Sequence, residues 1–200
     1  HPILKGLNIG FPVILFNGVY LADFHRGEIL EHTRFIDKFV IDSMLELAKY
    51  NKIEPFIYTF GKQHQVYYRK VTNAGSTAYL NSLENDDRVK QVSNFFFQED
   101  ENISGFLLIG TRESLQPIYY RLKEKHFNHI NLYFAEDVSI KGYYWLQSFH
   151  QQANKGSMLK KLVKRLGFSI NKTLVFGDNL NDLDMFRVAG HSVAMENALP

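Results

Sequence analysis

Two acidic residues four positions apart, Asp178 and Asp182, follow the short apolar run Thr173-Leu174-Val175-Phe176-Gly177. The carboxyl end of a parallel strand is where α/β sheets gather ligands. A carboxylate on an exposed turn there can hold a hard divalent cation through oxygen. Ordinary capping accounts for the same pattern, because Asp182 falls in the first turn of the next helix, where acidic groups complement the macrodipole. Lys155, in Asn154-Lys155-Gly156, opens another helix and has the wrong sign for that position. It holds a phosphate, balances a cluster of carboxylates, or is simply solvated. Lys160, Lys161, Lys164 and Arg165 on the same helix read as a solvated face.

The remaining candidates are weaker. His126 and His129 lie three apart at a helix–strand junction with no third ligand in sight, so a surface pair is the better reading than a metal site. Phe95-Phe96-Phe97 and Tyr143-Tyr144-Trp145 lack the interleaved Arg and Lys that base stacking on nucleic acid would bring, which leaves core or cap packing. Tyr67, Tyr68, Arg69 and Lys70 suit a sugar or a phosphate, and equally an exposed strand face.

Around these residues the pattern predicts the elements that position them. Phe11–Phe16 reads as a strand buried on both faces, followed by the turn signal Asn17-Gly18. Val19–Leu21 and Glu28–Leu30 form a hairpin across 23–27, and Thr33–Tyr50 a helix with Ile36, Val40, Met44 and Leu47 along one stripe. Glu54–Phe60 and Gln65–Lys70 are strands joined by Gly61-Lys62-Gln63-His64. A short helix follows at Thr77–Leu83, then strands at Val89–Phe97 and Gly105–Ile109. Thr111–Lys125 is helical, with its regular part starting near Gln116 because of Pro117. Strands at Asn131–Ala135 and Tyr143–Phe149 lead to the helix Asn154–Leu166, which Gly167 ends. Strand Thr173–Phe176, a helix near Asn181–Val188 and strand Ser192–Met195 close the chain.

The last fifty residues alternate helix and strand, as a parallel α/β sheet does, and the opening strand fits the same sheet. The middle is richer in adjacent strands, as in an α+β insertion. The expected division is therefore 1–22 with 152–200 as core and 23–151 as insertion. The 200 residues are 45% apolar and 22% charged, a globular composition. The net charge of +2 gives no cause to expect nucleic acid or an anionic membrane as partner. Without cysteine there is no disulfide framework and no thiolate zinc site, which fits a reducing compartment, the cytoplasm. The chain opens His1-Pro2-Ile3-Leu4, not on methionine, and closes at Pro200 just after a strand. It is expected to be a fragment, truncated at both ends.

Four motifs in order carry a resemblance: Asn17-Gly18 after an apolar strand, Asn154-Lys155-Gly156, Gly177-Asp178-Asn179-Leu180-Asn181-Asp182, and Val193-Ala194-Met195-Glu196-Asn197-Ala198. Together they resemble the haloacid dehalogenase superfamily, and within it the Cof-type sugar-phosphate phosphatases. The resemblance implies an α/β fold: a Rossmann-like parallel-sheet core, here incomplete, with an inserted α+β cap. It implies a Mg²⁺-dependent phosphomonoester hydrolase working through an aspartyl-phosphate on a small substrate such as a sugar phosphate. The metal side would be Asp178, a magnesium ligand, with Asp182 as the carboxylate that orients bound water or the lysine. Lys155 would hold the phosphoryl oxygens, Asn181 would donate to phosphate, and Asn17 would lie near the mouth of the site.

Two family motifs are missing: the strand ending in Asp-x-Asp-Gly-Thr that carries nucleophile and acid/base, and the next strand, which ends in Ser or Thr. The only Asp-x-Asp here is Asp182-Leu183-Asp184, which sits in the metal motif, on a helix, with no Gly-Thr after it. The nucleophile is expected upstream of His1, and the chain alone is expected to be inactive. The competing expectation is a non-catalytic binding or regulatory protein that shares the core and cap.

Overall fold

The computed structural model describes residues 8–61, 63–137 and 139–198. The opening His1-Pro2-Ile3-Leu4, Lys62 of the expected hairpin loop and the final Pro200 lie outside the described residues. In chain order the elements are β1 (Val13–Leu15), β2 (Tyr20–Ala22), β3 (Ile29–His32), α1 (Lys38–Tyr50), β4 (Pro55–Phe60), β5 (Val66–Tyr68), α2 (Ala74–Ser82) and β6 (Val89–Gln91). They continue with β7 (Asn102–Thr111), α3 (Arg112–His126), β8 (Ile130–Glu136), β9 (Tyr143–His150), α4 (Lys155–Arg165), β10 (Leu174–Gly177), α5 (Leu183–Val188) and β11 (His191–Ala194). Two compact units result. One gathers both ends of the chain, up to Arg34 and again from Gln152, and the other runs from Phe35 to Gln151. The fold class is α/β.

In the middle unit six strands form one sheet in the order β6-β5-β4-β7-β9-β8, antiparallel except for the β5–β6 pair. Its central strand β7 is buried at every residue from Ile103 to Gly110. Val40, Ile41 and Met44 of α1 and Leu115, Ile118 and Leu122 of α3 close over Phe106, Leu108 and Leu146 in one cluster. Each such side chain removed from water stabilises the unit by about 1.5–3 kcal/mol. That packing overrides Pro117: α3 is helical from Arg112, although a proline in its sixth position leaves the Glu113 carbonyl without its helical donor. The expected later start at Gln116 is therefore corrected.

Three other expectations change. Helix α1 starts at Lys38, not Thr33, because the Ile36 N–H donates to the Ile103 carbonyl at 2.8 Å and ties that residue to β7. β6 stops at Gln91, and Phe95 and Phe97 instead stack on each other, 6.4 Å between centroids, against the core. His126 is buried, packed on Phe39, and its two ring nitrogens have no hydrogen-bond partner among the described residues, so it is no surface residue. His129 sits 3.3 Å from Asp37.

The end unit holds two small sheets. β1, β2 and β3 are antiparallel, in that order, and the hairpin across 23–27 is present. β10 and β11 are parallel, with α5 crossing between them. The opening strand pairs with β2 and not with the β10–β11 sheet, and it is shorter and less buried than expected, with Phe11 59% exposed. β3 stays with this unit because the Thr33 N–H donates to Val19 at 2.9 Å, so the unit reaches Arg34 where the sequence placed the first boundary after Ala22. No helix among the described residues is long and apolar enough to cross a membrane.

Candidate active site

Helix α4 sets the lysine. Asn154 has extended backbone and its Oδ1 accepts the Ser157 N–H at 2.7 Å, a side-chain cap that fixes where the helix begins. Gly167, at φ +72°, ends it, with the Phe168 N–H returning to the Val163 carbonyl at 3.0 Å. Lys155 is thus the first helical residue, where its charge opposes the dipole. The compensation comes from another element: Lys155 Nζ donates to Asp182 Oδ1 at 2.6 Å.

Asp182 is the hub. Its other oxygen, Oδ2, accepts the backbone N–H of Asp178 at 3.0 Å and of Asn179 at 3.2 Å. It is 4% exposed. Burial pushes its carboxyl up, but Lys155 and the two backbone N–H groups outweigh this, and the net shift is below the usual carboxylate range. One residue therefore caps the loop and also pairs with the lysine. Asp182 closes the box of the 3-10 turn Leu180–Asp182 and is also the lysine's counter-charge.

Asp178 stands at the carboxyl end of β10, exposed, and its carboxylate has no hydrogen-bond or ion-pair partner among the described residues. Asn181 and Asn17, 164 residues apart in sequence, are joined by a hydrogen bond from Asn181 Nδ2 to Asn17 Oδ1 at 2.9 Å. Asn17 lies in left-handed backbone at φ +51°, between Phe16 at +51° and Gly18 at +97°. Asn181 Oδ1 is buried without a partner among the described residues. The structure thus brings Lys155, Asp178 and Asp182 into one hydrogen-bonded chain, and pairs Asn17 with Asn181. The Asn181 amide aims a hydrogen at Asn17, which is not the use the sequence assigned to it.

Sequence reasoning missed the glycines that let these segments touch. A Cβ on Gly156 would run into the Asp184 carbonyl, and one on Gly18 into the Asn154 carbonyl. A Cβ on Gly177 would lie 2.5 Å from the Asp182 Cβ. The signal was present as a glycine beside Asn17, Lys155 and Asp178. Lys161, read as solvated, pairs with Glu31 at 2.6 Å.

Among the described residues no three histidine, cysteine or acidic side chains gather as a ready metal set. Magnesium asks for less, since it keeps several waters and takes one or two carboxylates together with phosphate oxygens. The unengaged Asp178 carboxylate fits that demand. The Asp182 oxygens are already committed to Lys155 and the loop.

Comparison with known proteins gives a consistent set. The family model described as haloacid dehalogenase-like hydrolase matches residues 1–200. The chain is 34% identical over 91 residues to the HMP-PP phosphatase of Serratia proteamaculans, covering 46% of this chain and 31% of that protein. It is 26% identical over 210 residues to the pyridoxal phosphate phosphatase of Escherichia coli, covering 99% of this chain and 71% of that one. The chain therefore spans about a third of the Serratia relative's length. A haloacid dehalogenase-like hydrolase from B. subtilis superposes with a TM-score of 0.73 at 22% identity, over 99% of this chain and 73% of the other, which shows a shared fold.

Proposed function

The chain belongs to the haloacid dehalogenase-like hydrolases, and from that membership we propose that it supplies the lysine and metal side of a magnesium-dependent phosphomonoester hydrolase. The reading is of the Cof type, acting in the cytoplasm on small phosphate esters such as sugar phosphates through an aspartyl-phosphate. The observation that carries it is the Asp182 carboxylate, which links the Lys155 ammonium to the backbone of Asp178.

Each residue then has a separate task. Lys155 meets the phosphoryl oxygens and holds the charge that develops on them. Asp182 is a positioning residue that aims the Lys155 side chain while bracing the loop. Asn17 and Asn181 line the phosphate side. Asp178 would hold magnesium, which when bound neutralises charge on a transferring phosphoryl group. The attacking aspartate is not assigned to any of the 200 residues. The chain contains no Asp-x-Asp-Gly-Thr, and the carboxylates of Asp182 and Asp184 are engaged by Lys155 and Arg187 at 2.6 and 3.0 Å.

The test is hydrolysis of p-nitrophenyl phosphate with magnesium. The 200-residue chain alone is expected to be inactive, and a protein joining it to a strand ending in Asp-x-Asp-Gly-Thr to be active. In that protein Lys155→Ala is expected to lower turnover by about 10²–10³. If the joined protein fails across a broad panel of phosphate esters with Asp178 intact, a binding or regulatory role replaces the enzymatic one.

A further inference from the structure

The middle unit carries a second concentration of positive charge, apart from Lys155. A cleft of about 850 Å³ opens where the chain leaves α1, β5 and β6. Its lining includes Lys49, Lys52, Arg69 and Lys70, against the single carboxylate of Glu54. Arg69 neutralises that carboxylate with a two-pronged contact, Nε to Oε2 at 2.8 Å and Nη2 to Oε1 at 3.0 Å. It is also held over the Phe95 ring at 5.2 Å, and the Gln91 amide donates to its carbonyl at 2.9 Å. The floor is therefore fixed, and Lys49, Lys52 and Lys70 are left with no ion-pair partner among the described residues.

Lys52 adds an independent sign. It follows the C-cap of α1, with its N–H on the Lys49 carbonyl at 3.1 Å and the next N–H, of Ile53, on Ala48 at 2.9 Å. This is the helix-ending position that glycine usually fills, because the backbone is left-handed, here φ +58°. A lysine there holds a conformation unfavourable for a residue with a Cβ. Backbone strain kept where glycine would relieve it points to a use for the side chain.

We propose that this cleft binds a small molecule carrying two phosphate groups. Three unpaired ammonium groups match the roughly three negative charges of a diphosphate near neutral pH, and lysine serves phosphate as a point charge. The volume lies within the range of small-molecule sites. The inference stands apart from the phosphatase reading, because none of its residues belongs to the end unit.

Calorimetric titration of inorganic pyrophosphate into the 200-residue chain tests it, run in parallel on Lys155→Ala to remove the other candidate phosphate site. Binding is expected to persist in Lys155→Ala and to weaken about tenfold in Lys70→Ala and in Lys52→Gly. Lys52→Gly is also expected to raise the unfolding midpoint by about 2 °C, so its lost affinity cannot come from misfolding. Citrate, of similar charge, is expected to bind at least about tenfold more weakly. The proposal is overturned if pyrophosphate does not bind at millimolar concentration, if binding vanishes in Lys155→Ala, if Lys52→Gly and Lys70→Ala bind normally, or if citrate binds as well.

Discussion

Lys155 and Asp182 meet at 2.6 Å across 27 residues of sequence, at a helix start where a cation is otherwise unfavourable. The pair is lopsided: the carboxylate side chain is 5% exposed and the lysine 31%. Removing the buried partner therefore matters more. Asp182→Asn keeps the shape, discards the charge, and leaves two backbone N–H groups facing a weaker acceptor. We expect a loss of about 1–3 kcal/mol, read as a lower urea midpoint with an unchanged slope. In a catalytically complete protein, turnover should fall with it, because Lys155 loses what aims it.

The same pair sets an acid limb. Asp182 titrates below its unfolded value, so between the two pKa values the unfolded chain binds more protons and stability rises with pH. Its contribution is present in full above the ordinary aspartate pKa, near about 4, and is lost as pH falls through the lower folded value. The stability difference between wild type and Asp182→Asn should therefore be constant from about pH 5 to 7 and shrink below about pH 4. A difference that instead grows in acid would mean that Asp182 is protonated in the folded protein.

Asp178 should behave in the opposite way. It is exposed and its carboxylate is unengaged, so Asp178→Ala should change stability by less than about 0.5 kcal/mol. Any magnesium-dependent rise in the wild-type melting temperature should vanish in it. Asp182→Asn should retain part of that rise if Asp178 is the residue that holds the ion.

These contrasts also mark what the sequence could disclose. The ends of α4 were legible because a local side-chain cap, Asn154, and a left-handed glycine, Gly167, fix them. So was the Asp178–Asp182 loop, whose spacing is contained in six residues. Two pairings cross the chain: Lys155 with Asp182, which the family resemblance offered as one use of that carboxylate, and Asn17 with Asn181, which was illegible. Nothing in local pattern reports them. The same holds for the start of α1, which an Ile36–Ile103 bridge moves, and for α3, where core burial of Leu115 and Ile118 overrides a proline. Lys52 shows the reverse case, a position where local rules favour glycine and the chain holds a cation.

Gly156 and Gly167 bracket the lysine helix and separate geometry from strain. At Gly167 the obstacle is backbone alone, φ +72° with open space around it, so Gly167→Ala should cost about 1 kcal/mol and leave the site undisturbed. At Gly156 the obstacle is contact: a methyl group meets the Asp184 carbonyl and the Met185 nitrogen, both backbone, neither able to swing away. Gly156→Ala must therefore push the start of α4 off the segment that carries Asp182 and Asp184, costing about 1–3 kcal/mol. Because Lys155 is the adjacent residue, that shift lengthens its 2.6 Å contact with Asp182. In a catalytically complete protein, turnover should thus drop in Gly156→Ala and hold in Gly167→Ala under conditions where both variants are fully folded. Equal turnover in the two would mean that the placement of Lys155 does not depend on this close approach.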